Sequence, residues 1–384
     1  MRILYFSRDY SSHDHRFLVA LAKTGHAISY LRLEQGAHLL EERDLPSGIE
    51  AITWHGGKAP ARLAGGPRLL ADLRRVLRES KPDLVLAGPV QRGAFLVALA
   101  GFQPLVSMSW GYDLLLDARR SIFWKWATRY TLRRSAAFVG DCATIRRLAE
   151  SYGMPAERIV TFPWGIDLDH FTPAAGTSDE IRTPAGAPFT LLSTRSWEPL
   201  YGVDLIARAF VKAAAQRPEL RLVMLNRGSQ APLLQEILSQ YGQGVPGTGE
   251  NLRVSLPGQI SYEELPRYYR TADLYVAASH SDGTSISMLE AMACGCPVLV
   301  SDIPGNLEWV QPGRNGWSFP DGDADALAGA ILQAVADRSQ LPELGRAARR
   351  TAEARADWCK NFPQLARAFE IATGKSTGSL NFSL

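Results

Sequence analysis

Two carboxylates, Asp282 and Glu290, flank a predicted helix start within the segment Ser281 to Val310, SDGTSISMLEAMACGCPVLVSDIPGNLEWV. Thr284, Ser285 and Ser287 are short hydroxylic residues of the kind that cap a helix, and Gly295 with Pro297 supplies a stop. A helix is therefore expected from about Ser285 to Cys294. Its N-terminus, at Gly283, Thr284, Ser285, Ile286 and Ser287, offers unpaired N–H groups and partial positive charge, which suit a diphosphate without a metal. At helical rise, with part of the span more extended, the two carboxylates stand about 12 Å apart. That length matches a sugar and a ribose at the two ends of a diphosphate, so Asp282 can accept from the sugar and Glu290 from the ribose. Taken alone, such a pair is more often a cap and a solvated helix residue. The surrounding segment reverses that preference.

Other residues with chemistry fall where loops follow apolar runs. Arg195 follows the run Phe189–Thr194, with Tyr201 shortly after it, and Arg227 follows Arg221–Leu225. An arginine at a strand end is placed to meet an anion. The polar loop after the first run holds His13, His15 and Arg16, which are candidates for acceptor or phosphate contacts and equally for capping the next helix. Trp110 and Asp113 follow the run Leu105–Ser109. Trp110 can stack on a sugar ring or join the core, and Asp113 can hydrogen-bond to an acceptor. Two acidic clusters look like metal sites and are read otherwise. Asp167-Leu-Asp169 follows a glycine and reads as a turn. Asp321-Gly-Asp323-Ala-Asp325 has Ala326 and Leu332 where a calcium loop needs Gly and Glu, so it reads as a capped helix start. No metal is assigned.

The elements that must position these residues alternate throughout. In the first half, Ile3–Ser7, Ala27–Leu33, Ala51–Trp54, Leu84–Ala87, Leu105–Ser109, Ala137–Gly140 and Ile159–Phe162 read as strands, most with helical patterns between them. The alternation restarts at Phe189–Thr194 and continues through Arg221–Leu225, Leu252–Leu256, Leu274–Ala278, Pro297–Ser301 and Gly316–Phe319. A stretch rich in small residues, Pro and Gly separates the halves. The expected domains are 1–173, a linker 174–188, 189–357, and a terminal segment 358–384 crossing back to the first domain with a flexible end. The fold class is α/β, with two doubly wound Rossmann-like domains facing each other across a cleft.

A chain of 384 residues exceeds the usual single core. A net charge of +3 gives no reason to expect a nucleic-acid partner. The four cysteines form no CxxC pair, the N-terminus reaches Arg8 and Asp9 too early for a signal peptide, and the longest apolar run is broken by Gly101, Gln103 and Pro104. A cytoplasmic protein is expected. The segment Ile122 to Arg134, IFWKWATRYTLRR, is aromatic and basic; it reads as a packed helix with a solvated face, and alternatively as a weak peripheral contact with the inner face of an anionic membrane.

The segment Ser281–Val310 resembles the nucleotide-sugar site of retaining GT-B glycosyltransferases of the large family 4, or group 1, type. There an acidic residue and Gly are followed by small residues and Leu-Glu-Ala-Met-Ala-x-Gly-x-Pro-Val. Pro163 to Pro173 resembles that family's hinge, and Ser109 to Asp113 its His-Gly-x-Asp, with Trp110 in place of His. The resemblance implies a retaining, metal-independent transferase with no cofactor, using a nucleotide-diphosphate sugar, a UDP-sugar being favoured. The acceptor would be a carbohydrate, lipid-linked or small-molecule hydroxyl bound by the first domain. It also implies that Arg195 and a Lys six residues later neutralise the leaving diphosphate; Tyr201 replaces that Lys, which leaves Arg227 as the candidate second charge. Catalysis falls to Asp282, Arg195 and Glu290. Two other readings stay open: a nucleotide-sugar epimerase of the same fold, which turns over donor without acceptor, and a non-catalytic sugar-binding homologue. A dinucleotide-dependent oxidoreductase is disfavoured, because no Gly-x-Gly-x-x-Gly follows the first strand.

Overall fold

The computed structural model describes residues 1–35, 43–58, 60–61, 63–174, 187–239, 243–244 and 253–376. Most of the expected linker, the first residue of the run expected at Leu252–Leu256, and the end of the tail lie outside the described residues.

The chain divides into two compact units. The first comprises Met1–Pro163 together with Cys359–Leu384. Its strands are β1 (Arg2–Ser7), β2 (Ala27–Arg32), β3 (Glu50–Ala51), β4 (Leu84–Ala87), β5 (Leu105–Met108), β6 (Ala137–Gly140) and β7 (Ile159–Thr161). They form one parallel sheet in the order β3-β2-β1-β4-β5-β6-β7. Parallel neighbours need crossover connections, and the crossovers cover both faces of the sheet. This is why β4, β5 and β6 are buried along their whole length and read as unbroken apolar runs. The helix Gly66–Ser80 shows the complementary pattern. Leu69, Leu73, Val76 and Leu77 fall on one stripe and are buried, packing with Phe6, Trp54 and Val97.

The second unit is Trp164–Trp358. Its strands are β8 (Phe189–Ser193), β9 (Leu220–Leu225), β10 (Gln243–Gly244), β11 (Val254–Gly258), β12 (Leu274–Ala277), β13 (Val298–Ser301) and β14 (Trp317–Phe319). They also form one parallel sheet, in the order β10-β11-β9-β8-β12-β13-β14.

Packing moves the boundary from Pro173 to Pro163. Ile166 bridges to Asp357, Phe171 joins a core with Tyr269 and Met292, and Arg349 donates to the Phe171 carbonyl at 2.7 Å. Gly165 can take its φ of +46° and lie against the Ala356 carbonyl only because it has no Cβ. The segment after Pro163 is thus part of the second unit, although its resemblance to the family's hinge placed it at the close of the first domain. The acidic clusters fold as turns and caps. Asp167 accepts from the N–H groups of Asp169 and His170, and Asp323 caps the helix Ala324–Ala336 by accepting from those of Asp325 and Ala326.

Candidate active site

In the second unit the strand order reverses between β8 and β12, since β8 connects toward β9 on one side and β12 toward β13 on the other. The carboxyl ends of two such strands form the crevice where doubly wound sheets bind ligands. Arg195 lies just beyond β8, and the loop beyond β12 carries Asp282 into the helix Ile286–Ala293. The two meet: Arg195 Nη2 donates to Asp282 Oδ2 at 2.8 Å, and Nη1 donates to the hydroxyls of Ser285 and Ser287 at 3.2 Å each. Ser285 is the N-cap and accepts from the Met288 N–H, while Ser287 accepts from the Tyr275 phenol at 2.8 Å. Burial, the largest single influence, works against the Arg195 charge, but Asp282 together with Tyr201, Tyr275 and Tyr269 outweighs it and holds the guanidinium above its ordinary pKa. Arg195 Nε is buried without a hydrogen-bond acceptor among the described residues.

Two glycines bring these loops together. A Cβ at Gly202, whose φ is +55°, would lie 2.2 Å from the Ala278 carbonyl oxygen, so only glycine lets the turn after β8 approach the end of β12. That approach sets the Tyr201 ring beneath Arg195, with Cζ 4.0 Å from the ring centroid. A Cβ at Gly305 would meet the carbonyl oxygens of Gly283 and Asp282 at 2.2 and 2.4 Å. The loop bearing Asp282 therefore rests directly on backbone.

Glu290 lies further along the same helix and is buried rather than solvated. It accepts from the Tyr269 phenol at 2.8 Å, and that phenol also lies 3.0 Å from the Thr194 hydroxyl, next to Arg195. Thr194, Tyr269 and Tyr275 were not singled out in the sequence. Only Thr194 carried a signal, its adjacency to Arg195 at a strand end. Arg227, expected to share the charge-neutralising task, is exposed with its guanidinium beside Gly258, at the end of β11 on the side of β9 away from β8. The neighbour Arg195 does have is Tyr201.

In the first unit, β1 and β4 form the corresponding reversal. Ser11 and Asp14 close a capping box at the helix Ser12–Ala22, which carries His13, His15 and Arg16 just beyond β1. The His13 and Trp110 rings lie 5.7 Å apart, and Phe17 meets Trp110 edge-on at 6.0 Å. His15 Nδ1 lies 2.7 Å from the Tyr10 hydroxyl instead, and Arg16 is half-buried. Asp113, expected to be available to an acceptor, is fully enclosed. It accepts from the Val90 N–H at 2.9 Å, the Ser109 hydroxyl at 2.6 Å and the Trp110 N–H at 3.1 Å. Burial pushes its carboxyl up to about 6, against the pull of Ser109 and Val90. Here it ties the loops after β4 and β5 and so positions Trp110. Asp113→Ala would strand those donors in a buried site, and a loss of about 3 kcal/mol or more is expected. Thermal melting checks this, and an unchanged melting temperature would remove the positioning role.

The profile "Glycosyl transferases group 1" matches residues 177–351, and the profile "Glycosyltransferase Family 4" matches residues 12–170. The chain belongs to the family 4 glycosyltransferases. A D-inositol 3-phosphate glycosyltransferase of Thermobispora bispora is 29% identical over 238 residues, 59% of this chain and 54% of that protein. The chain spans about half the length of the inositol-phosphate relatives it matches. A GDP-mannose-dependent alpha-(1-6)-phosphatidylinositol monomannoside mannosyltransferase of Mycolicibacterium smegmatis is 24% identical over 94% of this chain and 93% of its own. Among solved structures, a sucrose-phosphate synthase from Thermosynechococcus elongatus has a TM-score of 0.76 at 19% identity, covering 96% of this chain and 98% of its own. HepE of Anabaena, solved with UDP-glucose, has a TM-score of 0.74 at 21% identity, with coverages of 96% and 99%. These likenesses establish the GT-B fold. In this family 4 chain, the motif from Asp282 to Glu290 and the arginine after β8 converge on one crevice of the second unit.

Proposed function

We propose that this family 4 chain transfers a sugar, with retention, from a nucleoside diphosphate sugar to an acceptor hydroxyl. The reading is carried by the convergence of Arg195, Asp282, Ser285 and Ser287 on the N-terminus of the helix Ile286–Ala293. A cationic fork, two hydroxyls and the N–H groups of a helix start together suit a diphosphate. In this proposal Arg195 and the N–H groups of 283–287 stabilise the diphosphate as the bond from the anomeric carbon breaks. Asp282 orients the sugar, and Glu290 accepts from the ribose. The acceptor hydroxyl attacks from the face the diphosphate leaves and gives its proton to a phosphate oxygen. Positioning and charge stabilisation are then the protein's main contributions.

The relatives' names support the donor class, one being GDP-mannose-dependent, and HepE was solved with UDP-glucose. We favour a UDP-sugar, with a GDP-sugar as the competitor, and a polyol, glycan or lipid-linked acceptor. A thermal-shift panel of nucleoside diphosphates and their sugars tests this. A ligand at a hundredfold its dissociation constant should stabilise the fold by about 2.7 kcal/mol. No shift with any of them would overturn the reading. Release of nucleotide that depends on acceptor separates a transferase from an epimerase or a binding protein. Turnover is expected to survive chelation, because arginine and helix N–H groups can neutralise the diphosphate. Complete loss in EDTA, restored by magnesium or manganese, would refute that.

A further inference from the structure

The helix Ile122–Arg134 buries Ala127, Thr128, Thr131 and Leu132 on one face. On the opposite face, at helical spacing, a water-facing helix should be polar. Here that face begins with Ile122, which is 90% exposed, and Trp126, at 46%, beside Phe123 at 45%. Leu116, just ahead of the helix, is 42% exposed, so four of the six large hydrophobics exposed among the described residues fall between 116 and 126. The rings form a platform of their own. Phe123 and Trp126 lie 5.8 Å apart, Trp126 stacks on Tyr130 at 5.4 Å, and Phe95 meets Phe123, Trp126 and Tyr130 edge-on at 5.7 to 6.2 Å. The same stretch carries Arg119, Arg120, Lys125, Arg129, Arg133 and Arg134, all exposed, with no acidic residue from 119 to 134. The whole chain carries only +3, so this basic excess is local.

We propose that this face of the first unit docks on a bilayer leaflet rich in anionic headgroups. Amphipathic aromatic rings rest at the level of the headgroups, where Ile122 and Phe123 can enter the acyl boundary, while the bases of the same stretch meet lipid phosphates. Charge decides against a second copy of the chain, because a two-fold contact would place this basic stretch against itself. The contact is peripheral, since among the described residues no helix is long and apolar enough to cross a membrane.

Flotation of the full chain with phosphatidylcholine vesicles, with and without phosphatidylglycerol, tests the proposal. The wild-type chain should float with the anionic vesicles, and added salt should weaken the association. Lys125→Glu with Arg129→Glu should cut partitioning by about 25-fold or more, at roughly fivefold for each of the two bases removed. Ile122→Ser with Trp126→Ser should also lower partitioning, and the binding that remains should stay salt-sensitive because the bases are kept. These side chains are exposed, so melting temperatures should stay near wild type, which separates lost docking from lost folding. Failure of the wild type to float with anionic vesicles overturns the proposal, as does flotation of both variants like wild type. A dimer seen by sedimentation that these variants dissociate, with no flotation, also overturns it and assigns the face to protein.

Discussion

Arg195→Ala is expected to lower kcat/KM by about 100- to 1000-fold, the usual cost of removing one preorganised charge stabiliser. The expectation follows from how Arg195 is held. Its guanidinium bonds to Asp282, Ser285 and Ser287 and lies over Tyr201, so the charge is fixed before any donor arrives. Arg195→Lys should recover little of the loss, because an ammonium keeps the charge and gives up the planar fork that reaches Asp282 and both serines. Tyr201 adds a second check. Tyr201→Phe keeps the ring and should cost little, whereas Tyr201→Ala removes the surface under the guanidinium and should cost more. Steady-state kinetics with the donor identified by thermal shift measures all four variants. Wild-type turnover in Arg195→Ala, with unchanged melting, would remove Arg195 from the site.

The strands were legible because parallel sheets are covered on both faces. Leu84–Ala87 and Ala137–Gly140 are unbroken apolar runs and fold at those bounds. Gln243–Gly244 was not legible, since a strand that short has no period. The helix after Asp282 was legible through its caps. Ser285 does accept at its start, and Gly295, with a φ of +74°, follows its end. Side-chain partners were harder to read, because they come from distant segments. Asp113 looked available in the sequence, yet Val90 from the loop after β4 and Ser109 from its own loop enclose it. Arg227 shares a strand-end position with Arg195, but its long side chain turns toward Gly258. Tyr269 is the clearest case. Nothing local marks it, and only the packing of the helix Leu265–Thr271 against the helix Ile286–Ala293 brings its phenol to Glu290.

That contact sharpens the second large effect. Glu290→Ala is expected to weaken nucleoside diphosphate and nucleotide sugar alike, because the ribose belongs to both. Hydrogen bonds to a charged group contribute about 1.5–3 kcal/mol each, so the loss should lie between one and two orders of magnitude in dissociation constant. Because Glu290 is buried against Tyr269, truncation also strands the phenol, and part of any effect can come from local repacking. Glu290→Gln separates the two causes, since it keeps the shape and an acceptor for Tyr269 while removing the charge. Asp282→Ala should behave differently. Its carboxylate holds Arg195 and is assigned to the sugar, so turnover should fall far more than diphosphate affinity. Calorimetric titration with the nucleoside diphosphate decides between the two carboxylates. If Glu290→Ala and Glu290→Gln bind it as tightly as wild type, the ribose role is lost, and the spacing of the two carboxylates is then a matter of packing alone.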